Sequence, residues 1–226
     1  MQAIDPIVMK KPLVIWGASG YARVVADIIR LAGEYDILGM LDDVRPERRG
    51  EIVGGVAVLG GREQWDEIKR QGATHVIVAV GHCAARVRLA DFAVAHGLKL
   101  ATAIHPRAIV ASDAVIGPGT VIAAGAVVNP AVTIGRNCLI NTCASVDHDC
   151  TIGDGAHIGP GVCLGGHTTI GQGSWLGIGA VTCDRIHIGA GSVIGAGAVI
   201  TRDIPPGVVA YGVPGRVMRN VNDSGT

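Results

Sequence analysis

The stretch VVNPAVTIGRNCLINTCASVDHDCTIGDGAHIG, residues 127–159, decides the fold, because an aliphatic side chain recurs in it at every sixth position. Extended in both directions, this step runs from Ile104 to Ile200, and sixteen of its seventeen positions are aliphatic, with Thr182 as the exception. The next residue is Gly in nine cases and Asn or Asp in three, types that tolerate the positive φ of a corner. A six-residue period that is maintained from residue 104 to residue 200 predicts a parallel β-helix. Three hexads, or 18 residues, would complete one coil.

Before the repeats, the pattern alternates between strand and helix. The runs PLVIWG, DILGMLDD and HVIVAVG are short and apolar, whereas residues 21–31 and 84–96 carry apolar side chains at helical spacing. We expect a small Rossmann-like α/β domain with a parallel sheet of three to five strands. The predicted organisation is an N-terminal extension over 1–9, the α/β domain over 10–103, the β-helix over 104–204, and a C-terminal cap and tail over 205–226.

The composition excludes several classes of partner. Lys plus Arg equals Asp plus Glu, at 19 each, and no basic run exists, which argues against nucleic acid or an anionic membrane as a partner. Apolar runs are short and interrupted by Gly, so no segment is expected to span a bilayer. The six cysteines form no CxxC pair and no zinc spacing, and we interpret them as reduced core or near-core residues of a cytoplasmic protein.

The coil period singles out His148. This histidine follows Val146 by two positions, so its side chain is expected to project away from the interior. One coil later, at position 166, the chain has a glycine. An outward imidazole beside a residue without a side chain leaves space for a ligand and an accessible backbone N–H.

These motifs resemble two nested families. The hexads are similar to those of left-handed β-helix acyltransferases, typically homotrimers that use acyl-CoA or acyl-carrier protein, and the tail PPGVVAYGVPGRVMR resembles the closing segment of the acetyl-CoA members. With WGASGYARVVADII, LGMLDD and VAVG added, the chain resembles nucleotide-sugar N-acetyltransferases that acetylate the C4 amine of a 4-amino-deoxy sugar in O-antigen or glycan assembly. The most specific match is Asn141 seven residues before His148 and Asp149. The GDP-perosamine type is favoured, and UDP-linked sugars stay open.

The resemblance implies acetyl-CoA as cosubstrate and no metal. Acetyl transfer to an amine requires a base for the amine proton and a donor for the developing oxyanion. His148 is the candidate base, and Asp149, or alternatively Asp147, would orient it. By resemblance, the Gly166 N–H would polarise the thioester carbonyl and Asn141 would hold the sugar.

The same resemblance places the active sites of a homotrimer between subunits. A neighbouring chain's His157 would lie near the thioester, and the backbones of Ile178 and Ala196 would line the groove for the pantetheine arm. His167 and His187 are expected to be surface residues. Arg86 matches a family arginine that either braces the domain or lines the site.

The turn GASG follows a strand and opens a helix, so its N–H groups suit a diphosphate. Asp42 and Asp43 stand about twenty residues on, where an acid can bind a ribose hydroxyl, so an NAD-dependent oxidoreductase is a rival. The repeats begin before a second mononucleotide-binding half could fit, which favours the nucleotide portion of a sugar substrate. Its predicted contacts are Gly17, Ser19, Gly20, Tyr21, Asp42, Asp43 and Gly81, with Tyr21 able to stack on the base.

Two further functions share this scaffold. One is O-acetylation of a sialic or related sugar, because the sequence does not separate an amine from a hydroxyl acceptor. The other is a zinc lyase of the carbonic-anhydrase-like type, which resembles this chain in its hexads but uses three histidines, two of them five residues apart. His148, His157 and His167 are spaced by 9 and 10 residues, which disfavours that function.

Overall fold

The computed structural model describes residues 10–223, so the predicted extension over 1–9 and the last three residues of the tail lie outside the described residues. The N-terminal part is a six-stranded sheet in the order β3-β4-β2-β1-β5-β6, parallel except for the pair β3–β4. Its strands are β1 Lys11–Trp16, β2 Tyr35–Leu41, β3 Ile52–Val53, β4 Val56–Gly60, β5 His75–Val78 and β6 Lys99–Leu100. The predicted α/β class is confirmed. The strand number exceeds the prediction because β3 and β6 have only two residues each, too few for a periodic signal.

Three helices cover this sheet: α1 Gly20–Ala32, α2 Trp65–Arg70 and α3 Cys83–Ala95. Two 3-10 turns, Pro46–Arg48 and Arg62–Gln64, complete the connections. The buried face of α1 packs on β1 and also on the first strands of the β-helix, where Val121 and Leu139 are fully buried. One apolar cluster therefore joins the sheet, α1 and the outside of the β-helix.

From Ala103 onward the chain forms seventeen strands of two residues each, stacked in three parallel sheets. Up to Thr182, each strand pairs with the strand 18 residues later, as in the series Leu139, His157, Trp175. The predicted period of three hexads per coil is confirmed. The strands are β7 Ala103–Ile104, β8 Ile109–Val110, β9 Val115–Ile116, β10 Val121–Ile122, β11 Val127–Val128, β12 Thr133–Ile134, β13 Leu139–Ile140, β14 Ser145–Val146, β15 Thr151–Ile152, β16 His157–Ile158, β17 Cys163–Leu164, β18 Thr169–Ile170, β19 Trp175–Leu176, β20 Val181–Thr182, β21 His187–Ile188, β22 Val193–Ile194 and β23 Val199–Ile200.

The interior of the β-helix contains the hexad aliphatics and the small residues two positions before them. From Ile122 to Ile200 these aliphatic side chains are at most 3% exposed. Thr182, the exception in the repeat, satisfies its hydroxyl inside the prism by accepting a hydrogen bond from the Gly165 N–H at 3.0 Å. A half-buried hydroxyl with a hydrogen-bond partner costs little, which explains why threonine is tolerated there.

The predicted reason for the glycine after each hexad aliphatic, a positive φ at that residue, is wrong. Positive φ values occur three residues after the aliphatic, as at Gly155 and Gly161, and not at the next residue. The next residue is glycine because adjacent coils approach closely there. A Cβ on Gly153 would lie 2.6 Å from the Gln172 nitrogen, and one on Gly117 would lie 2.6 Å from the Arg136 nitrogen.

A hairpin closes the last coil. Strands β24 Val208–Gly212 and β25 Gly215–Asn220 are antiparallel, and β24 continues the sheet through β22. No helix within residues 10–223 is long and apolar enough to cross a membrane. Six cysteines are free, and Cys143, Cys163 and Cys183 are exposed, so the prediction of core or near-core positions is wrong for these three, which lie on strands or corners that face outward.

Arg86 joins the two parts of the molecule. Its guanidinium is fully buried on α3 and donates to the carbonyl oxygens of Asn137 and Gly155 in the β-helix at 2.8 and 2.7 Å. It also donates to the carbonyls of Val80 and Gly81 at 2.9 Å. The structure therefore favours bracing over a role in the site.

Candidate active site

His148 lies at the corner between β14 and β15, and its ring is half-exposed. Its Nδ1 is 2.7 Å from Oδ2 of Asp149. Neighbouring residues on a strand point to opposite faces, but Asp149 has a φ of 58°, and this left-handed turn returns its carboxylate to the ring. Asp147, the alternative partner, instead accepts from the Asn129 side chain at 2.7 Å and from the His148 backbone N–H at 2.8 Å.

The contact has electrostatic consequences for both groups. The hydrogen bond to Asp149 raises the pKa of His148, and nearby acids add to that effect. The hydrogen bond from His148 lowers the pKa of Asp149 in turn. Because Nδ1 donates to the carboxylate, the neutral imidazole has its lone pair on Nε2, the nitrogen that can accept a proton from a substrate.

Gly166 lies beside the open edge of this ring, as the coil arithmetic predicts. A Cβ at position 166 would be 2.8 Å from both Cε1 and Nε2 of His148. The prediction of an accessible N–H there is wrong, however. The Gly166 N–H donates to Oδ1 of Asp184 at 3.1 Å, because residue 184 stands one further coil along the same corner.

A second group of predicted residues lies elsewhere on the same chain. Asn141 contacts Nε2 of His157 through its side-chain nitrogen at 3.3 Å, while its oxygen accepts from the Thr142 N–H at 2.8 Å. With the amide oriented in this way, Nε2 of His157 accepts a hydrogen bond from the Asn141 side-chain nitrogen, and Nδ1 of His157 carries the ring proton. Burial, reinforced by the charge of Arg86, lowers the pKa of His157 to about 4, so the ring is neutral at neutral pH.

His157 faces a cavity of about 520 Å³ between the two parts of the molecule. The Trp175 ring stacks parallel to His157 with centroids 6.0 Å apart, and Gly81, His82 and Cys83 form the opposite wall. The Nδ1–H of His157 is buried and makes no hydrogen bond of ordinary geometry among residues 10–223, although the Gly81 backbone lies close enough to act on the pKa of the ring. Ile178 and Ala196 are exposed at the next corner, one coil apart.

The predicted residues therefore form two groups at different corners of the prism. His148, Asp149 and Gly166 lie at the corner after β14, whereas Asn141 lies at the corner after β13 and His157 lies on β16. The sequence arguments missed two neighbours of these groups. Trp175 is one coil after His157, and His167 is one coil after Asp149, so the same step of 18 could have found both.

The predicted nucleotide contacts divide in the same way. Gly17, Asp42 and Asp43 line a cleft of about 410 Å³ at the carboxyl edge of the parallel sheet, whereas Gly81 lines the cavity with His157. Ser19 and Gly20 are exposed at the start of α1. Gly17 has a φ of 125°, and a Cβ there would lie 2.6 Å from the Ala79 oxygen, so the tight turn requires glycine.

The predicted stacking of Tyr21 on the base is wrong, and the two predicted carboxylates already have protein partners. Tyr21 does not reach the cleft, because its ring packs into the core and its hydroxyl is buried, which raises its pKa above the usual range. The carboxylate of Asp42 is occupied by the Val44 N–H at 3.1 Å and the Arg48 side chain at 3.0 Å. The carboxylate of Asp43 accepts from the Arg62 side chain at 2.6 Å.

Comparison with known proteins decides the family. The structure superimposes with a TM-score of 0.88 on a mutant perosamine N-acetyltransferase from Caulobacter crescentus in complex with CoA and GDP-perosamine. The two are 36% identical, and the match covers 92% of this chain and 97% of that one. The chain belongs to the hexapeptide-repeat family of nucleotide-amino-sugar N-acetyltransferases.

Further matches agree with this N-acetyltransferase family. The acetyltransferase domain of PglB from Neisseria gonorrhoeae, in complex with acetyl coenzyme A, is 36% identical with a TM-score of 0.86 over 93% of this chain and 100% of that one. Residues 12–92 match the family described as PglD N-terminal domain, and residues 131–166 and 167–202 match the bacterial transferase hexapeptide (six repeats). WeeI from Acinetobacter baumannii, at 23% identity and a TM-score of 0.76 over 92% of this chain and 100% of that one, shares the fold. No curated protein sequence matches the chain.

Replacing Gly166 with alanine in this N-acetyltransferase is expected to lower kcat about 10²-fold with little change in the unfolding midpoint. The new Cβ would displace the His148 ring, and an exposed ring moves at small cost to stability. Activity assays, thermal unfolding and imidazole NMR of His148 would check this. An unchanged rate, or a loss of folding, would contradict the geometric role.

Proposed function

We propose that the chain is an acetyl-CoA-dependent N-acetyltransferase that acts on the C4 amine of a nucleotide-linked 4-amino-deoxy sugar, with GDP-perosamine as the leading acceptor. The observation that carries this proposal is the His148–Asp149 pair beside Gly166. It occurs in a chain 36% identical, over nearly its whole length, to an enzyme crystallised with CoA and GDP-perosamine. A UDP-linked 4-amino sugar is the second acceptor to test.

The geometry supports direct transfer without an acyl-enzyme. The neutral amine attacks the thioester carbonyl, its proton passes to Nε2 of His148, and the imidazolium formed is stabilised by Asp149. The acetyl–sulfur bond breaks as the tetrahedral intermediate collapses, and CoA leaves as a thiolate that takes up the proton from His148. The Gly166 N–H can serve the oxyanion only after Asp184 gives up its hydrogen bond.

The nucleotide is assigned to the cleft at the sheet edge. Parallel sheets bind ligands outside the carboxyl ends of their strands, and this cleft lies there beside the N-terminus of α1. Arg62 and Arg88 line it and supply positive charge for phosphates. Asp42 and Asp43 would shape the cleft through Arg48 and Arg62 rather than contact the ribose with free carboxylates.

The two groups of site residues support a homotrimer with sites between subunits. In one chain His148 lies at the corner after β14 and His157 lies on β16, so a site that used both would take His148 from one subunit and His157 of the partner subunit. Exposed apolar side chains on the β-helix, among them Ile109, Val115 and Ile178, are available for such an interface. The six free cysteines support a reducing, cytoplasmic location, in which O-antigen or glycan precursors would be the substrates.

Mixing two inactive variants would test the shared site. His148→Ala and His157→Ala are each expected to be poorly active, but any mixed trimer contains one interface at which both histidines are intact. Co-expression with two different tags, isolation of doubly tagged trimers and rate measurement would reveal partial recovery. Mixed trimers as inactive as their parents would place each site within a single chain.

Mass spectrometry of candidate acceptors tests the function itself. Incubation with acetyl-CoA and GDP- or UDP-linked 4-amino sugars is expected to add one acetyl group in place of one hydrogen. Deoxy analogues with a hydroxyl in place of the amine are the matched controls. Acetylation of the hydroxyl analogues alone would instead favour the O-acetyltransferase alternative, and no transfer to any nucleotide-linked amino sugar would reject the proposed function.

A further inference from the structure

One corner of the β-helix keeps side chains where the other two corners use glycine. Fourteen corner residues have a positive φ, and at two corners eight of ten are Gly. At the corner of His148 none is Gly: the residues are Ala131, Asp149, His167 and Arg185, with φ between 57° and 60°. A non-glycine residue in this region is strained, and strain that is retained is a pointer to function.

Besides Asp149, which bonds the base directly, His167 is the residue at this corner that approaches the base, through the same carboxylate. Its Nε2 is 3.8 Å from Oδ2 of Asp149, the same oxygen that binds His148. The two imidazole rings are perpendicular, with centroids 5.2 Å apart. The His167 N–H also donates to the His148 carbonyl at 3.0 Å, so backbone pairing fixes one residue against the other.

We propose that His167 is a positioning residue for the base. His167 and His148 share the Asp149 carboxylate, and His167 keeps His148 unprotonated down to a lower pH than a single histidine–aspartate pair would allow. The proposal rests on the proposed function only in taking His148 as the base. When the pair holds one proton, either imidazole can carry it beside Asp149. When His167 carries it, His148 is neutral and able to accept the proton of the amine.

The charges around the pair set the sign of the effect. Asp147 and Asp184 face His148, and Asp149 lies between the rings, so these acids favour protonation of His148. Arg185, one coil beyond His167, lowers the pKa of Asp149 and so helps to keep that carboxylate ionised. Replacing His167 removes a cation that repels a second proton, and His148 then protonates at higher pH.

A titration of the full-length protein tests this without any substrate. NMR of isotope-labelled imidazoles is expected to show coupled, two-step titration of His148 and His167. In His167→Asn, His148 should titrate in one step, with its midpoint raised by roughly half a pH unit, the effect of one charge about 5 Å away in water. The shift should shrink at high salt and persist in the presence of a metal chelator.

Two variants separate positioning from structure. His167→Gly relieves the left-handed strain, so it should raise the unfolding midpoint and still shift the titration of His148. His187→Asn, an exposed histidine on β21, should change neither quantity. An unchanged His148 midpoint in His167→Asn, or an equal shift in His187→Asn, would overturn the proposal.

The kinetic readout separates this proposal from the proposed function. If the protein acetylates an amino sugar, the acid limb of kcat/KM should move to higher pH in His167→Asn by the shift that NMR gives. The titration of the substrate amine is common to both enzymes and cancels in the comparison. Absence of transfer by the unaltered protein would reject the proposed function and leave the NMR result standing, whereas transfer with an unmoved acid limb would reject the role of His167.

Discussion

Replacing His148 with alanine is expected to lower kcat by about 10²–10⁴-fold, or about 3–5 kcal/mol of transition-state stabilisation. The loss follows because the ring joined to Asp149 at 2.7 Å is the one described base with an open nitrogen beside Gly166. The affinity for acetyl-CoA should be retained, because the imidazole acts on the amine rather than on the nucleotide end of the cosubstrate. Steady-state kinetics and calorimetric titration of acetyl-CoA would measure the two effects separately.

Neighbouring substitutions sharpen that test. Asp149→Asn removes the acceptor that raises the pKa of His148, so the rate should fall and the acid limb of kcat/KM should move to lower pH. The sign follows because a base with a lower pKa stays neutral further into acid. Asp147→Asn is the comparison variant: Asp147 makes no hydrogen bond to the His148 ring and raises its pKa only through space, so its replacement should move the acid limb less than Asp149→Asn does. A His148→Ala enzyme with near-normal turnover would remove the base from this mechanism.

Replacing Arg86 with methionine is expected to destabilise the protein by about 3–5 kcal/mol. The guanidinium is fully buried and donates to four carbonyls at 2.7–2.9 Å, those of Val80, Gly81, Asn137 and Gly155. Methionine fills the space but leaves these buried acceptors unpaired. Unfolding in guanidinium chloride, followed by tryptophan fluorescence, would measure the loss.

Two further variants locate the cause. Arg86→Lys keeps the charge, but one ammonium group cannot serve carbonyls of both parts of the molecule, so most of the loss should remain. Arg88→Met, two residues along α3 and exposed, should change stability by no more than about 0.5 kcal/mol. If Arg86→Met unfolded at the same denaturant concentration as the unaltered protein, the bracing role would be wrong.

The sequence by itself determined the repeat, the coil length and the outward position of His148 beside Gly166. These features follow from a local rule, because a narrow prism favours aliphatic side chains at the inward positions and closely spaced coils favour glycine at the next position. The same rule, continued one coil further, leads from Asp149 to His167. Periodicity thus specifies which side chains are neighbours along a corner.

Only the tertiary structure decided what those neighbours do. The capture of the Gly166 N–H by Asp184, the pairing of Asp43 with Arg62 and the burial of Tyr21 against the β-helix depend on rotamers and on packing between distant segments. Spacing predicts which residues are neighbours. Which donors and acceptors remain unpaired is known only when the hydrogen bonds of every buried polar group are described.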